Sequence, residues 1–247
     1  MGRVKKFFVS FIPKHVGNRT VCAVYHVLTF IKVSRKVREK NYNSNIVQLN
    51  YNTWNFLAVP NAYIENQNEW GEILFGTGPH HNMKYSGCEI IATFNALKAL
   101  TYSGSPESMA TLISEYEAHG AALRGEFGVS PLAIEAYLKK RGYVVSSTDK
   151  EDGTEPDEVD KQSQVFIVTA YNDVNDITKQ IHTVCITKDE SGRYVLHNAY
   201  CRDISGAYVP SISYTTLFDA IGHISQYEVK LIYLIGITKA GQDKQKS

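Results

Sequence analysis

A cysteine stands in the stretch YSGCEIIATFNAL, Tyr85 to Leu97, directly after a glycine and at the start of an apolar run with helical spacing. A thiol at a helix N-terminus lies beside unpaired N–H groups and the positive end of the helix dipole, which both favour the thiolate. Lys84 would act in the same direction. Free cysteines are more often buried and inert. Cys88 is therefore a candidate nucleophile, and a structural thiol is the alternative.

A cysteine nucleophile also needs a base and a group that orients this base. His182 is the candidate base because it lies inside a strand pattern, IHTVCIT, and the next strand pattern, RYVLHNAY, carries Asn198 sixteen positions later. If the two strands form a hairpin, the two side chains can be neighbours across it. The amide could then fix which imidazole nitrogen faces the thiol. Together with Cys88, these residues predict a Cys-His-Asn triad.

The elements around these residues change type along the chain. Three helices are predicted first, from Cys88 to Leu100, from a Ser105 cap to His119-Gly120, and from Ser130 to Gly142. Short β-branched and aromatic runs with polar turns follow, and they predict strands that pair antiparallel. They are VFIVTAY, IHTVCIT, RYVLHNAY and VKLIYLIGI. The fold class predicted is α+β, with an N-terminal helical layer packed on a C-terminal antiparallel β-sheet.

The charge of the chain is unevenly distributed. The formal net charge is +1, yet residues 1–50 hold ten Lys or Arg and a single acid, so the remainder is acidic. We expect a basic N-terminal arm over residues 1–50, a domain over residues 51–238 and a polar tail over residues 239–247. The acidic run at 149–160 is expected to be a solvated loop.

The arm suggests where the protein acts. It lacks a signal-peptide cleavage site, and its apolar run at 21–31 is shorter than a spanning helix needs. The sequence predicts a cytoplasmic protein that is peripheral at the membrane if the arm contacts anionic lipid; the alternatives are an acidic partner or a solvated face packed on the domain. No nucleic-acid motif accompanies the basic residues, so nucleic acid is not expected as a partner.

The constellation resembles the papain-like cysteine peptidases, in which a cysteine leads a helix, a histidine lies much later in a strand, and an Asn or Asp follows on the next strand. HTV at 182–184 is similar to the His-Ala-Val segment of the family, and NAY at 198–200 to its Asn-Ser-Trp segment, with Tyr200 where Trp is usual. Asn82 stands six positions before Cys88, where the family has a Gln that helps to form the oxyanion hole. The resemblance covers residues 82–237 and is nearest to the bacterial peptidases that trim bacteriocin leaders.

The resemblance implies a thiol hydrolase that cleaves a peptide or isopeptide bond of a peptide or protein through a thioester. Cys88 would attack, His182 would transfer the proton, Asn198 would hold the imidazole, and Asn82 with the Cys88 N–H would stabilise the oxyanion. Neither a cofactor nor a metal is implied. Glu89 departs from the family, which has Trp after the cysteine, and its carboxylate would oppose the thiolate. A catalytically inactive binding module and a transglutaminase or acyltransferase with the same triad are the alternatives.

Other histidines and a zinc site are weaker candidates. His197 adjoins Asn198, but strand alternation lets only one of them face the site, and Asn198 with Tyr200 matches the amide–aromatic pair of the family. His80 and His81 follow Pro79 and are expected in a polar turn, although they could enter the cleft. A zinc site is disfavoured because three-residue spacing on a strand sends side chains to opposite faces. Its ligands would be His182, Cys185, His197 and Cys201.

Overall fold

The architecture is α+β, a helical layer packed on an antiparallel sheet, which confirms the predicted class. The computed structural model describes residues 11–51, 55–101, 103–199 and 212–239. Tyr200 and Cys201, which the sequence analysis named, lie outside the described residues.

The three helices predicted from the sequence are confirmed. The second begins at a reciprocal cap in which Ser105 and Ser108 each bind the other's backbone, and the third ends before Gly142, whose φ is +83°. Residues 11–15 are also helical. The helices of this layer are α1 (Asn18–Leu28), α2 (Arg35–Asn50), α3 (Met83–Ser86), α4 (Cys88–Thr101), α5 (Pro106–His119) and α6 (Pro131–Lys140).

The described strands form one six-stranded sheet in the order β1-β6-β2-β3-β4-β5, and every described pairing is antiparallel. All four predicted strands are confirmed; two short ones, the first and the fifth, were not predicted. The elements are β1 (Val144–Thr148), α7 (Thr154–Gln162), β2 (Val165–Tyr171), β3 (Ile181–Lys188), β4 (Tyr194–His197), β5 (Ser213–Tyr214), α8 (Leu217–Gly222) and β6 (Lys230–Thr238).

The acidic run at 149–160 is not a loop throughout, so that prediction was wrong from Thr154 onward. Helix α7 begins there, with Glu155 and Asp157 in its first turn, where carboxylates complement the helix dipole. Pro156 and Val159 are buried, so the helix is also held by packing. The acidic composition therefore reflects the solvent-exposed side of this helix and does not indicate an irregular backbone.

The sheet is covered on both faces. On one face, residues such as Ile167 and Cys185 pack with α4, whose side chains are almost all buried. On the other face, residues such as Phe166 and Val184 pack with α7 and α8. The buried position of α4 fixes its first residue, Cys88, at one end of the sheet.

The predicted arm packs onto the domain from α1 onward. Cys22, Val33 and Leu49 belong to the same buried cluster as α4. Helix α2 is also held by amides: Asn45 donates to the Leu74 carbonyl at 2.8 Å and accepts from the Leu74 N–H at 2.7 Å. Across the ranges that the structure describes, no helix has the length and apolar character that crossing a bilayer requires.

Candidate functional site

Cys88 is the first residue of α4, and its side chain is 7% exposed. Burial raises the pKa of the thiol well above 9, and the neighbouring Glu89 carboxylate raises it further. The Thr183 backbone acts in the opposite direction and lowers the pKa of the thiol. Thr183 follows His182 on β3, so the thiol lies against the strand that carries the predicted base. In the conformation described, the thiol is protonated at neutral pH.

Glu89 shares the buried position of the thiol. Its side chain is 3% exposed, and burial raises the pKa of its carboxyl to about 7, although hydrogen bonds from the Glu89 and Val129 backbones and from the Cys88 thiol lower it. Its Oε2 has no hydrogen-bond partner. A thiol and a carboxyl side by side thus titrate unusually high, each because its charged form is poorly solvated.

The thiol and the carboxyl line a cavity of about 480 Å³ whose other walls are mostly apolar. One wall is α1, which contributes Val21, Tyr25 and Leu28. Burial raises the pKa of the Tyr25 hydroxyl well above 10, and the nearby Glu89 and Cys88 raise it further. Helix α1 therefore forms one wall of the cavity that contains the candidate nucleophile.

His182 lies one residue before Thr183 and is 3% exposed. Its Nε2 lies 2.7 Å from the backbone carbonyl oxygen of Asn198. Burial lowers the pKa of the imidazole to about 4, and the Asn198 carbonyl acts in the opposite direction. The His182 ring does not line the cavity. His182 pairs with Ala170 of β2, and the Ala170 side chain packs on the face of the sheet that is turned away from α4.

Asn198 contacts His182 through its backbone and not through its carboxamide. The carboxamide oxygen accepts from the Gln67 N–H at 2.9 Å, and Nδ2 is buried without a partner. The φ of Asn198 is +58°, a left-handed conformation that ends β4. This turn aims the carbonyl at the imidazole, which explains why the orienting oxygen differs from the predicted one.

Gln67 connects the two halves of the site. Its backbone N–H binds Asn198, and its Nε2 donates to the carbonyls of Met83 and Lys84, both at 3.0 Å. These carbonyls belong to α3, which immediately precedes Cys88. Gln67 therefore couples the position of β4 to the segment that leads into the thiol.

His197 forms a separate buried cluster beside the site. Its Nδ1 lies 2.7 Å from Glu65 Oε1, and its Nε2 lies 3.0 Å from Thr187 Oγ1. The second oxygen of Glu65 accepts from the Asn198 N–H at 3.0 Å. Glu65 thus holds the end of β4 at two points, and His197 faces Glu65 instead of the thiol.

The other predicted side chains have local roles. Asn82 is the N-cap of α3, where its Oδ1 accepts from the Tyr85 N–H at 3.0 Å. His80 stacks on Tyr85 with ring centroids 4.4 Å apart, and His81 bonds the Gly78 carbonyl at 2.8 Å, as expected for a turn. Over the described ranges, no three His, Cys, Asp or Glu side chains lie together as metal ligands would.

The described residues do not form a hydrogen-bonded Cys-His-Asn triad. The structure brings Cys88 against β3 and holds His182 against Asn198, but no described hydrogen bond joins the imidazole to the thiol, and the Asn198 carboxamide is used elsewhere. Sequence reasoning missed Glu65, Gln67 and Tyr25. Glu65 and Gln67 come from an irregular segment without periodicity, and Tyr25 lies in an arm that was considered apart from the site.

Comparisons of the chain with protein-family models, with curated proteins and with solved structures found no match.

Proposed function

We propose that the chain is a thiol hydrolase with a papain-like arrangement, in which Cys88 attacks the carbonyl of a peptide or isopeptide bond and His182 transfers the proton. The observation that carries the proposal is that Cys88, the first residue of α4, and Ile181, the first residue of β3, line the same cavity, so the thiol lies near the strand that contains His182. A thioester mechanism needs the imidazole beside the thiol, so His182, whose cross-strand partner Ala170 packs on the sheet face away from α4, would have to turn toward Cys88 when substrate binds.

The contact with Asn198 supports the role of His182 as a base. A backbone carbonyl can only accept, so Nε2 of the neutral ring carries the proton and donates it to Asn198. Nδ1 is then the nitrogen able to accept a proton in the same tautomer. The carbonyl performs the orienting function that the resemblance assigned to a carboxamide.

Stabilisation of the tetrahedral intermediate would come from the N-terminus of α4. The first N–H groups of a helix have no intrahelical partner, and the Cys88 N–H is one of them. Asn82 is the second donor that the sequence predicts, through its amide nitrogen, since its oxygen caps α3. Negative charge on the oxyanion would also interact favourably with the helix dipole.

The cavity indicates which substrates fit. Its volume of about 480 Å³ lies within the range of small-ligand sites, and its walls include Val21, Leu28, Phe127 and Ile181. We therefore expect a peptide with an apolar side chain next to the scissile bond. A charged side chain there would lose its hydration, and Glu89 and Glu126 are the two charged residues among the described lining residues.

The experiment compares Cys88→Ser with Cys185→Ser on fluorogenic peptides that carry an apolar or a charged residue before the scissile bond. Both cysteines are buried and free, but only Cys88 lines the cavity. The proposal expects hydrolysis by the wild type and by Cys185→Ser, and a loss of about 10³-fold or more in Cys88→Ser. Equal rates in both variants would exclude Cys88 as the nucleophile.

A specific observation also favours a second candidate function, an inactive binding module. The Glu89 carboxyl raises the pKa of the thiol, which opposes nucleophilic attack. Under this alternative the cavity binds an apolar group without turnover, so a peptide would bind with equal affinity to wild type and to Cys88→Ser, and no product would form. Addition of amine acceptors to the same assay detects acyl transfer as an amide product.

A further inference from the structure

Helix α1 has one broad apolar stripe that begins in the cavity and continues onto the exposed surface. The inner face lines the cavity with Val21, Tyr25 and Leu28. Val24 also lines the cavity and is 55% exposed, and Val27 is 60% exposed. A surface helix normally buries its apolar stripe, so the exposed part of this stripe is unusual for a helix that faces only water.

The exposed apolar surface continues beyond the end of α1. Phe30 is 74% exposed and Ile31 is 42% exposed in the turn that follows the helix. Together with Val24 and Val27 they form what we call the α1 patch. Phe127, which lines the same cavity as Leu28, is 52% exposed. Exposed apolar residues that are grouped in this way mark an interaction surface.

Basic residues follow the α1 patch in space and along the chain. Lys32, Arg35 and Lys36 are exposed directly after it, and Arg35 pairs with Glu39. Arg124 is exposed as well, and its backbone N–H donates to the Ile31 carbonyl at 3.1 Å. An apolar surface bordered by cations fits the interface of an anionic bilayer, where the side chains enter the headgroup region and the cations bind lipid phosphates.

Helix α1 is attached to the domain at both ends and through Cys22, which is 3% exposed in the core cluster, so outward movement of the helix must also expose this side chain. Residues 29–34 connect it to α2 without helical structure, and Val33 is buried with 3% exposure, so the far side of this connection is anchored. At the other end, Gly17 makes no side-chain cap. The polar tie there is Asn18, whose Nδ2 donates to the Asp149 carbonyl at 2.9 Å.

We propose that α1 is a lid over Cys88 and that the α1 patch docks on an anionic membrane surface, which draws the lid away from the cavity. The inference deepens the proposed function, because the site that becomes accessible is the one assigned to hydrolysis. The same apolar stripe lines the cavity and continues onto the exposed surface, so insertion of the stripe into lipid competes directly with its contacts to the cavity. The bilayer would thus regulate access to the thiol.

The test follows alkylation of Cys88 by iodoacetamide, which requires access and not turnover. Full-length protein is mixed with phosphatidylcholine vesicles that contain or lack phosphatidylglycerol, binding is measured by co-sedimentation, and modified cysteines are assigned by peptide mapping. We expect binding to the anionic vesicles alone, with Cys88 alkylated about tenfold faster when bound. Binding without faster alkylation would overturn the lid, and absence of binding would overturn the membrane surface.

Two glutamate substitutions provide matched variants. Val27→Glu lies in the α1 patch, whereas Val47→Glu lies on α2 and replaces a valine that is 61% exposed, nearly the same fraction as Val27. We expect Val27→Glu to weaken vesicle binding about tenfold and Val47→Glu to retain it. Equal binding by both variants would overturn the assignment. Concentration-dependent self-association that Val27→Glu abolishes, without vesicle binding, would replace the membrane with a second copy of the chain.

Because alkylation and hydrolysis are measured separately, failure of one proposal is distinguishable from failure of the other. If anionic vesicles accelerate alkylation of Cys88 but no peptide is cleaved with or without them, the lid stands and the hydrolase fails. If Cys88-dependent hydrolysis occurs at the same rate with and without vesicles, the hydrolase stands and the lid fails.

Discussion

The imidazole of His182 is held by the backbone carbonyl of Asn198, whose oxygen lies 2.7 Å from Nε2. The carboxamide of the same residue points to the Gln67 N–H instead. A backbone contact depends on the path of the chain and not on the type of side chain. The left-handed φ of Asn198, +58°, is therefore the feature that positions the imidazole.

This contact predicts that Asn198→Gly preserves the orientation of His182. Glycine adopts positive φ without strain and keeps the carbonyl in place, whereas Asn198→Ala adds about 1 kcal/mol of left-handed strain. Both variants lose the hydrogen bond to Gln67, which costs about 1 kcal/mol. Thermal unfolding and NMR titration of His182 provide the measurements.

If the carboxamide were the orienting group, Asn198→Gly would lose activity as completely as Asn198→Ala. The backbone contact predicts instead that the glycine variant keeps most of its peptide hydrolysis and that its imidazole retains a low pKa. A His182 resonance that titrates near its ordinary pKa in Asn198→Gly would contradict this prediction.

The regular helices and strands could be predicted because the pattern of apolar residues in each segment reflects which of its side chains are buried. Helix α4 has apolar residues at helical spacing, strand β2 is a short run of β-branched and aromatic residues, and both have nearly the bounds predicted. Strand β1 was missed because VVSST is short and has no fully buried residue before Thr148. Its pairing with β6 is a tertiary contact that the local sequence does not encode.

The site was predictable only in part for a related reason. Cys88 and His182 sit on periodic elements, so their types and positions were visible in the sequence. Glu65 and Gln67 belong to an irregular segment, and their hydrogen bonds reach residues more than 130 positions away. Such partners follow from how loops pack on the finished sheet. The use of a carbonyl by Asn198 depends on one φ angle, which residue type alone does not determine.

Replacement of Glu89 by Gln is predicted to make Cys88 more reactive. The Glu89 carboxyl raises the pKa of the thiol, so its removal lowers this pKa and increases the thiolate fraction. We expect alkylation of Cys88 at pH 8 to be about tenfold faster in Glu89→Gln. Peptide mapping after iodoacetamide treatment provides the measurement.

Glu117→Gln is the matched control for this variant. Burial raises the pKa of Glu117 to about 7 as well, and its Oε1 accepts from the Gly76 N–H at 2.8 Å, but it does not line the cavity. Because both folded carboxyls have pKa values above the ordinary 4.5, both destabilise the protein as pH rises from about 4.5 to 7. At pH 8 each Gln variant should therefore be more stable, relative to wild type, by about 3 kcal/mol more than it is at pH 4. Only Glu89→Gln should change the alkylation rate of Cys88.

His182 predicts a loss of stability in acid. Its folded pKa of about 4 lies below the ordinary value of 6.5, so the unfolded state binds a proton first as the pH falls. Stability from the neutral imidazole is complete above about pH 6.5 and is lost as the pH falls through 4. In His182→Gln, the change in unfolding free energy between pH 7 and pH 4 should become smaller by about 3 kcal/mol.

Chemical denaturation at a series of pH values, with Glu89→Gln as background, isolates this contribution because the buried carboxyls have the opposite slope. A His182→Gln variant with the same pH dependence as its parent would show that the imidazole is not buried in its neutral form.

Gly128 packs closely against the Glu89 carboxyl, so substitution of this glycine tests how tightly the carboxyl is held. Its φ is +69°, and a Cβ added there would lie 2.4 Å from Glu89 Oε2, closer than any ordinary contact. Gly142 has a similar φ of +83° but no atom within 4 Å of such a Cβ. Gly142→Ala should therefore cost only the left-handed strain of about 1 kcal/mol, whereas Gly128→Ala should cost about 3 kcal/mol because the carboxyl must also move.

Thermal unfolding compares the two glycine variants, and alkylation of Cys88 reports where the carboxyl moves. Displacement of Glu89 from the thiol in Gly128→Ala should accelerate alkylation, whereas Gly142→Ala should react as the wild type does. In the double variant Gly128→Ala with Glu89→Gln, the two effects on alkylation should not add, because both act through the same carboxyl. Additive effects would show that Gly128 controls access to Cys88 by a route that does not involve Glu89.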